Sequence, residues 1–155
     1  MVRYYSAENY SLEDWLNQAS DDLRTAQDYI NKDENYARKN VCIHSHQSIE
    51  KNLKAYLIAN KVDIPDSHNL EKLQGMCEEI DGNFSKVNSL NLRNLTGLAS
   101  DSRYPQFEHE KKIITAADAK KAYNSAVEIN DFVLNRIKEI DKEPDKTGPE
   151  PDIDF

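Results

Sequence analysis

The chain is predicted to be all-α, an antiparallel bundle of about five helices, and three observations carry that expectation. Apolar residues recur at three- and four-residue intervals through most of the first 140 positions. Ser11 and Thr115 stand just ahead of such runs, each with an Asp three residues later, the arrangement that caps a helix N-terminus. Gly and Pro number only four and five, which favours long helices over a turn-rich fold.

The elements follow in order. Ser11-Leu-Glu-Asp14 opens a first helix over residues 12–31, with Trp15, Leu16, Ala19, Leu23, Ala26 and Ile30 at helical spacing. A second helix is expected from about Tyr36 to Asn60, broken by Pro65 in Val62-Asp-Ile-Pro-Asp66. A third starts near His68 with Leu70, Leu73, Met76, Cys77 and Ile80 as its seam, and Asp81-Gly82-Asn83 stops it with a residue able to take positive φ. Leu90, Leu92, Leu95 and Leu98 suggest a short fourth helix of modest propensity within residues 85–98. Residues 99–114 have no clean period and are read as an ordered loop. Thr115 then starts a last helix carrying Ala119, Ala122, Ala126, Ile129, Val133, Ile137 and Ile140, whose small residues permit close packing.

A chain of 155 residues with 38% hydrophobic and 31% charged residues can bury one core, so residues 1–140 are taken as a single helical domain. Residues 141–155 are Pro-rich, acidic and aperiodic, and are expected to be a disordered tail. The net charge of −8 disfavours bulk binding to duplex nucleic acid, although about half of it lies in this tail and a local basic face on the body remains open. No run approaches the length of a membrane-spanning helix and the polar start Met1-Val-Arg-Tyr lacks a signal-peptide core, so the chain is expected to be cytoplasmic, away from membranes. Cys42 and Cys77 lie on apolar faces and are read as reduced core thiols. His44 and His46 point about 200° apart on a helix and the glycines are isolated, so neither a zinc site nor a phosphate-cradling loop is expected, and no cofactor is assigned.

The second helix carries two stripes. Cys42, Ile49, Leu53, Tyr56 and Leu57 fall on one side; His44, Gln47, Lys51 and Lys54 fall on the other, a row of donors and cations that suits an anionic ligand. A solvated face with Glu50 beside the lysines explains the row equally well, but Ile58 continues the stripe and favours a groove or subunit contact.

The same stretch, His44-Ser-His-Gln-Ser-Ile-Glu-Lys-Asn-Leu-Lys-Ala-Tyr-Leu57, resembles the second-helix signature of HEPN domains. Ser67-His-Asn-Leu70 resembles the family's Thr-His-Asp-Leu, Ser102-Arg-Tyr-Pro105 its Arg-Tyr-Pro loop, and residues 15–23 its first helix, so the likeness spans roughly residues 11–140. The resemblance implies a helical bundle that forms a homodimer, binds a nucleotide or RNA, and partners a nucleotidyltransferase-like protein as the toxin-like half of a two-gene module. His44, Gln47, Lys51, Lys54, Arg103 and Tyr104 are then the candidate phosphate and base contacts, with Tyr104 able to stack on a base.

Arg38 to His44 and Arg103 to His109 share an Arg-x5-His spacing. Catalytic HEPN domains are similar in using an Arg-x4-6-His pair to cleave RNA without metal, His moving a proton and Arg steadying the phosphate. By chain order Arg103 and His109 are the matching catalytic pair. Tyr104 and Pro105 follow the pattern of another branch, and an Arg bracing its loop beside an exposed His is the alternative. His68 is read as a cap or loop brace with a satisfied hydrogen bond, a non-catalytic interaction module is kept as a further alternative, and His46 receives no role.

Overall fold

A computed structural model describes residues 10–86, 89–102 and 114–142. Among these residues the chain forms five α-helices, α1 (Leu12–Tyr29), α2 (Asn35–Ala59), α3 (Leu70–Ile80), α4 (Ser89–Ser102) and α5 (Ala116–Lys142), with a 3-10 turn at Gly82–Lys86 between α3 and α4. Residues of the expected acidic tail beyond Lys142 lie outside this set.

The ends of α1 and α5 are made as their sequences demand. Ser11 Oγ accepts from the Asp14 amide at 3.1 Å while Asp14 accepts from the Ser11 amide at 3.0 Å. Thr115 and Asp118 make the same reciprocal pair at 3.0 and 3.1 Å. Each box satisfies two amides that the helix leaves without partners. For α3 the cap is Asn69, whose side chain accepts from the Lys72 amide.

The stops of α2 and α3 fall within a residue of the sequence expectation but by other devices, and α4 runs longer than expected. Pro65 is not what ends α2: the helix stops at Ala59 in a Schellman motif, with Lys61 at φ 61 and bonds from the Lys61 amide to Ile58 and from the Val62 amide to Leu57. Gly82 does not use a positive φ either, since extended Asp81 closes α3 and its carboxylate accepts the Asn83 amide to start the 3-10 turn. And α4 runs on through Ser102, so residues 99–102 are helical where a loop was expected.

Helix α2 is the axis of the bundle, packed against α1, α3, α4 and α5. Asp22 meets His44 and Lys51, and Ala19 meets Ser48, so α1 runs antiparallel to it. Arg38 reaches Ile114 and Asn52 reaches Asn130, a constant offset that makes α5 parallel to α2. The core joins Ile49, Leu53 and Leu57 to Leu70, Leu73, Leu92, Leu95, Ile129 and Val133, all fully or nearly fully buried. Phe84, projected from the 3-10 turn, sits in its centre against Tyr56 and Phe132, with ring centroids 4.8 and 4.7 Å away. Cys42 and Cys77 are free thiols in this core, and burial pushes both up to about 12.

Candidate functional site

Because α2 is covered on both sides, its polar stripe is neither a solvated face nor a bare cationic one. A buried cation needs a partner, and α1 and α2 supply them. Lys51 Nζ lies 2.7 Å from one oxygen of Asp22, and His44 Nδ1 lies 3.0 Å from the other. Lys54, almost wholly buried, lies 2.9 Å from Glu50 Oε2 one turn before it. Ile58 is partly buried against the core. The stripe reads as cations when α2 is considered alone; the missing carboxylates come from Asp22 on the next helix and from Glu50 at its edge.

Glu50 collects more. His68, in the segment between α2 and α3, places Nδ1 2.9 Å from the same Oε2, and His46 Nδ1 lies 3.7 Å from Oε1. Burial pushes the Glu50 carboxyl up, but the Lys54 ammonium and the His68 ring together outweigh it and hold the group below the usual carboxylate range. His68 is thus the brace that the sequence suggested. Its side chain is nonetheless 70% exposed, with one ring nitrogen on Glu50 and the rest turned to solvent.

These groups share a pocket of about 290 Å³ between the start of α1, the second half of α2 and the segment before α3. Lys51, Lys54, Glu50 and His68 line one side of it, and Tyr10 and Trp15 line another. The two aromatic rings meet edge to face, centroids 6.2 Å apart. Trp15 also holds a buried indole N–H with no acceptor. Asp14, Gln18 and Asp66 complete the rim.

The structure therefore brings together Lys51 and Lys54 of the expected contact set and leaves His44 and Gln47 outside the pocket lining, His44 because it is turned to Asp22. Arg103, Tyr104 and His109 lie outside the described residues. The other Arg-x5-His spacing is not a working pair: Arg38 donates to Asp33 and to the Ile114 carbonyl, bracing the start of α5, while His44 faces Asp22. Trp15, Glu50 and His68 were missed as pocket residues. Glu50 and His68 both stood inside recognisable segments, and the nearest signal was an acid one turn from a lysine on the second helix. Trp15 offered no such signal, because an aromatic at helical spacing suits a core face equally well. No group of three or more His, Cys, Asp or Glu side chains among the described residues is arranged to hold a metal, and no described helix is long and apolar enough to cross a membrane.

Comparison with known proteins agrees with the fold. No curated protein matches the chain in sequence. The chain resembles a crystal structure of an archaeal HEPN homologue with a TM-score of 0.56 and 22% identity, over 81% of this chain and 97% of that one. The HEPN domain family model matches residues 12–139, from the first residue of α1 almost to the end of α5, and by that match the chain belongs to the HEPN domain family.

Proposed function

We propose that this HEPN protein binds a nucleotide, free or as a unit of an RNA strand, in the pocket between α1 and α2. The observation that carries the reading is the facing of Tyr10 and Trp15 against Lys51, Lys54 and His68 across one small cavity. Aromatic faces and edges hold a base, and cationic donors meet a phosphate. In this reading the protein works as a homodimer in the cytoplasm beside a nucleotidyltransferase-like partner, as the toxin-like half of such a pair.

Trp15 is the chain's one tryptophan, so its emission reports on this pocket alone. Titration with ribonucleotides or a short single-stranded RNA should change that emission saturably, and Lys51→Ala should weaken binding with a reduced salt dependence. Unchanged emission with every ligand would return the protein to a non-catalytic interaction module.

Metal-independent RNA cleavage by Arg103 and His109 is the enzymatic alternative. It is favoured over the Arg38 and His44 spacing because both of those side chains are committed elsewhere. Cleavage of a labelled RNA pool in EDTA by wild type, lost in a folded His109→Ala variant, would establish it.

A further inference from the structure

Resting on the reading of this pocket as a nucleotide site, the geometry points to a ligand with a single phosphate group, a nucleoside monophosphate or one nucleotide of an RNA strand, in preference to a nucleoside di- or triphosphate, with His68 as the residue that meets the phosphate.

The first reason is charge. Three carboxylates, Asp14, Glu50 and Asp66, line the pocket beside two ammonium groups. Both ammonium groups already have a carboxylate partner, Lys54 in Glu50 and Lys51 in Asp22. A polyphosphate brings several negative charges into a space with no uncommitted lysine and with Asp14 and Asp66 at its edge. Each added phosphate has to be desolvated without a new counter-charge, which costs affinity.

The second reason is size. A volume of about 290 Å³ stands at the lower end of the roughly 300–1,000 Å³ typical of small-molecule sites. A base and its sugar against Tyr10 and Trp15 would take up most of a cavity of this size, leaving room for one phosphate rather than several.

The third reason is His68. Glu50 fixes its Nδ1 and thereby its ring orientation, while the side chain stays 70% exposed where it lines the pocket. With Nδ1 donating to the Glu50 carboxylate, Nε2 is the ring's remaining polar atom on a side chain that stays exposed, which makes it the atom to meet a phosphate. Lys54 shares Glu50 Oε2 with His68, His46 lies against Oε1, and Lys51, Asp14 and Asp66 line the same pocket. His68 is therefore the pocket residue assigned to the phosphate, a single oriented ring suited to a single phosphate group.

The test is titration of Trp15 emission in the full-length chain at fixed ionic strength. The probes are adenosine, AMP and ATP, the guanine, cytosine and uracil counterparts, and a pentamer of single-stranded RNA. The expected result is a dissociation constant for the monophosphate, the RNA pentamer or both at least tenfold below that of the matching triphosphate and of the nucleoside. Tighter binding by the monophosphate than by the pentamer assigns a free nucleotide, and the reverse assigns an RNA unit. His68→Gln, which keeps a donor for Glu50 but removes the imidazole, should bring the monophosphate or pentamer to within about twofold of the nucleoside while circular dichroism shows the chain still folded. A triphosphate that binds as tightly as the monophosphate or more tightly, or a nucleoside that binds as tightly as its phosphates, overturns the single-phosphate inference but leaves nucleotide binding standing. An undiminished phosphate preference in His68→Gln overturns the role of His68. No response to any probe overturns the nucleotide reading itself, and this inference with it.

Discussion

Lys54 Nζ lies 2.9 Å from Glu50 Oε2 on the same helix, with both side chains buried. This pair decides what the polar side of α2 can do. Removing one member leaves the other charged and shielded from water, a change that costs about 3–5 kcal/mol, whereas replacing both with apolar groups of similar volume is often close to neutral. Lys54→Met and Glu50→Gln should each lower stability by about 3 kcal/mol in urea unfolding, and Glu50→Leu with Lys54→Met should recover most of that loss. A single variant within about 0.5 kcal/mol of wild type would mean that water reaches the pair.

The bundle was legible in the sequence because its helix signals are local. Capping boxes at Ser11 and Thr115 and the seams of α1, α3 and α5 depend on residues three and four apart, and these were read correctly. What was not legible depends on contacts distant in sequence. Asp22 sits on the buried face of α1, where spacing alone would place an apolar residue, because Lys51 and His44 lie 29 and 22 residues away to receive it. Without Asp22, the α2 stripe looks like free positive charge. The pocket was half visible: the Glu50-Lys51-x-x-Lys54 and His68 segments stood out, but only the fold joins them to Trp15. Helix stops were legible in position but not in device, since Pro65 and Gly82 are the usual signals and the chain uses Lys61 and Asp81 instead.

The Lys61 stop leads to a stabilising substitution. A left-handed backbone costs a residue with a Cβ about 1–2 kcal/mol, and glycine adopts it freely, at the expense of greater freedom in the unfolded chain. Lys61 is exposed, at φ 61. Lys61→Gly should therefore raise stability by about 0.5–1 kcal/mol, read as a higher urea midpoint at unchanged slope. Lys61→Val, β-branched at the same position, should lower it.

Phe84 should be the costliest apolar residue to truncate. It is fully buried, touches the rings of both Tyr56 and Phe132, and its carbonyl accepts from Gln74 Nε2 at 2.7 Å, so the 3-10 turn is held by backbone as well as side chain. Phe84→Ala removes ring contacts from two helices and leaves a cavity that the retained turn keeps from collapsing. A loss of about 3–5 kcal/mol is expected in thermal or urea unfolding. A loss below about 1.5 kcal/mol would show that α2 and α5 can close over the gap.

Acid should destabilise the protein through two particular carboxylates. Glu50 is pushed up by burial but more than compensated by Lys54 and His68, and Asp81 is likewise pushed up by burial and then held low by Arg136, whose Nε lies 2.6 Å away, and by the Asn83 amide. Both have folded values below their unfolded ones. The stability they contribute is therefore complete above the ordinary carboxylate range, about 3.9 for Asp and 4.3 for Glu, and is lost as pH falls through the folded values. Urea midpoints between pH 7 and pH 3 should hold nearly level to about pH 5 and then decline. Glu50→Gln combined with Asp81→Asn should start lower and fall less steeply across the same interval. If the double variant declines in parallel with wild type, the acid sensitivity belongs to other carboxylates, and Glu50 and Asp81 are not held low in the folded chain.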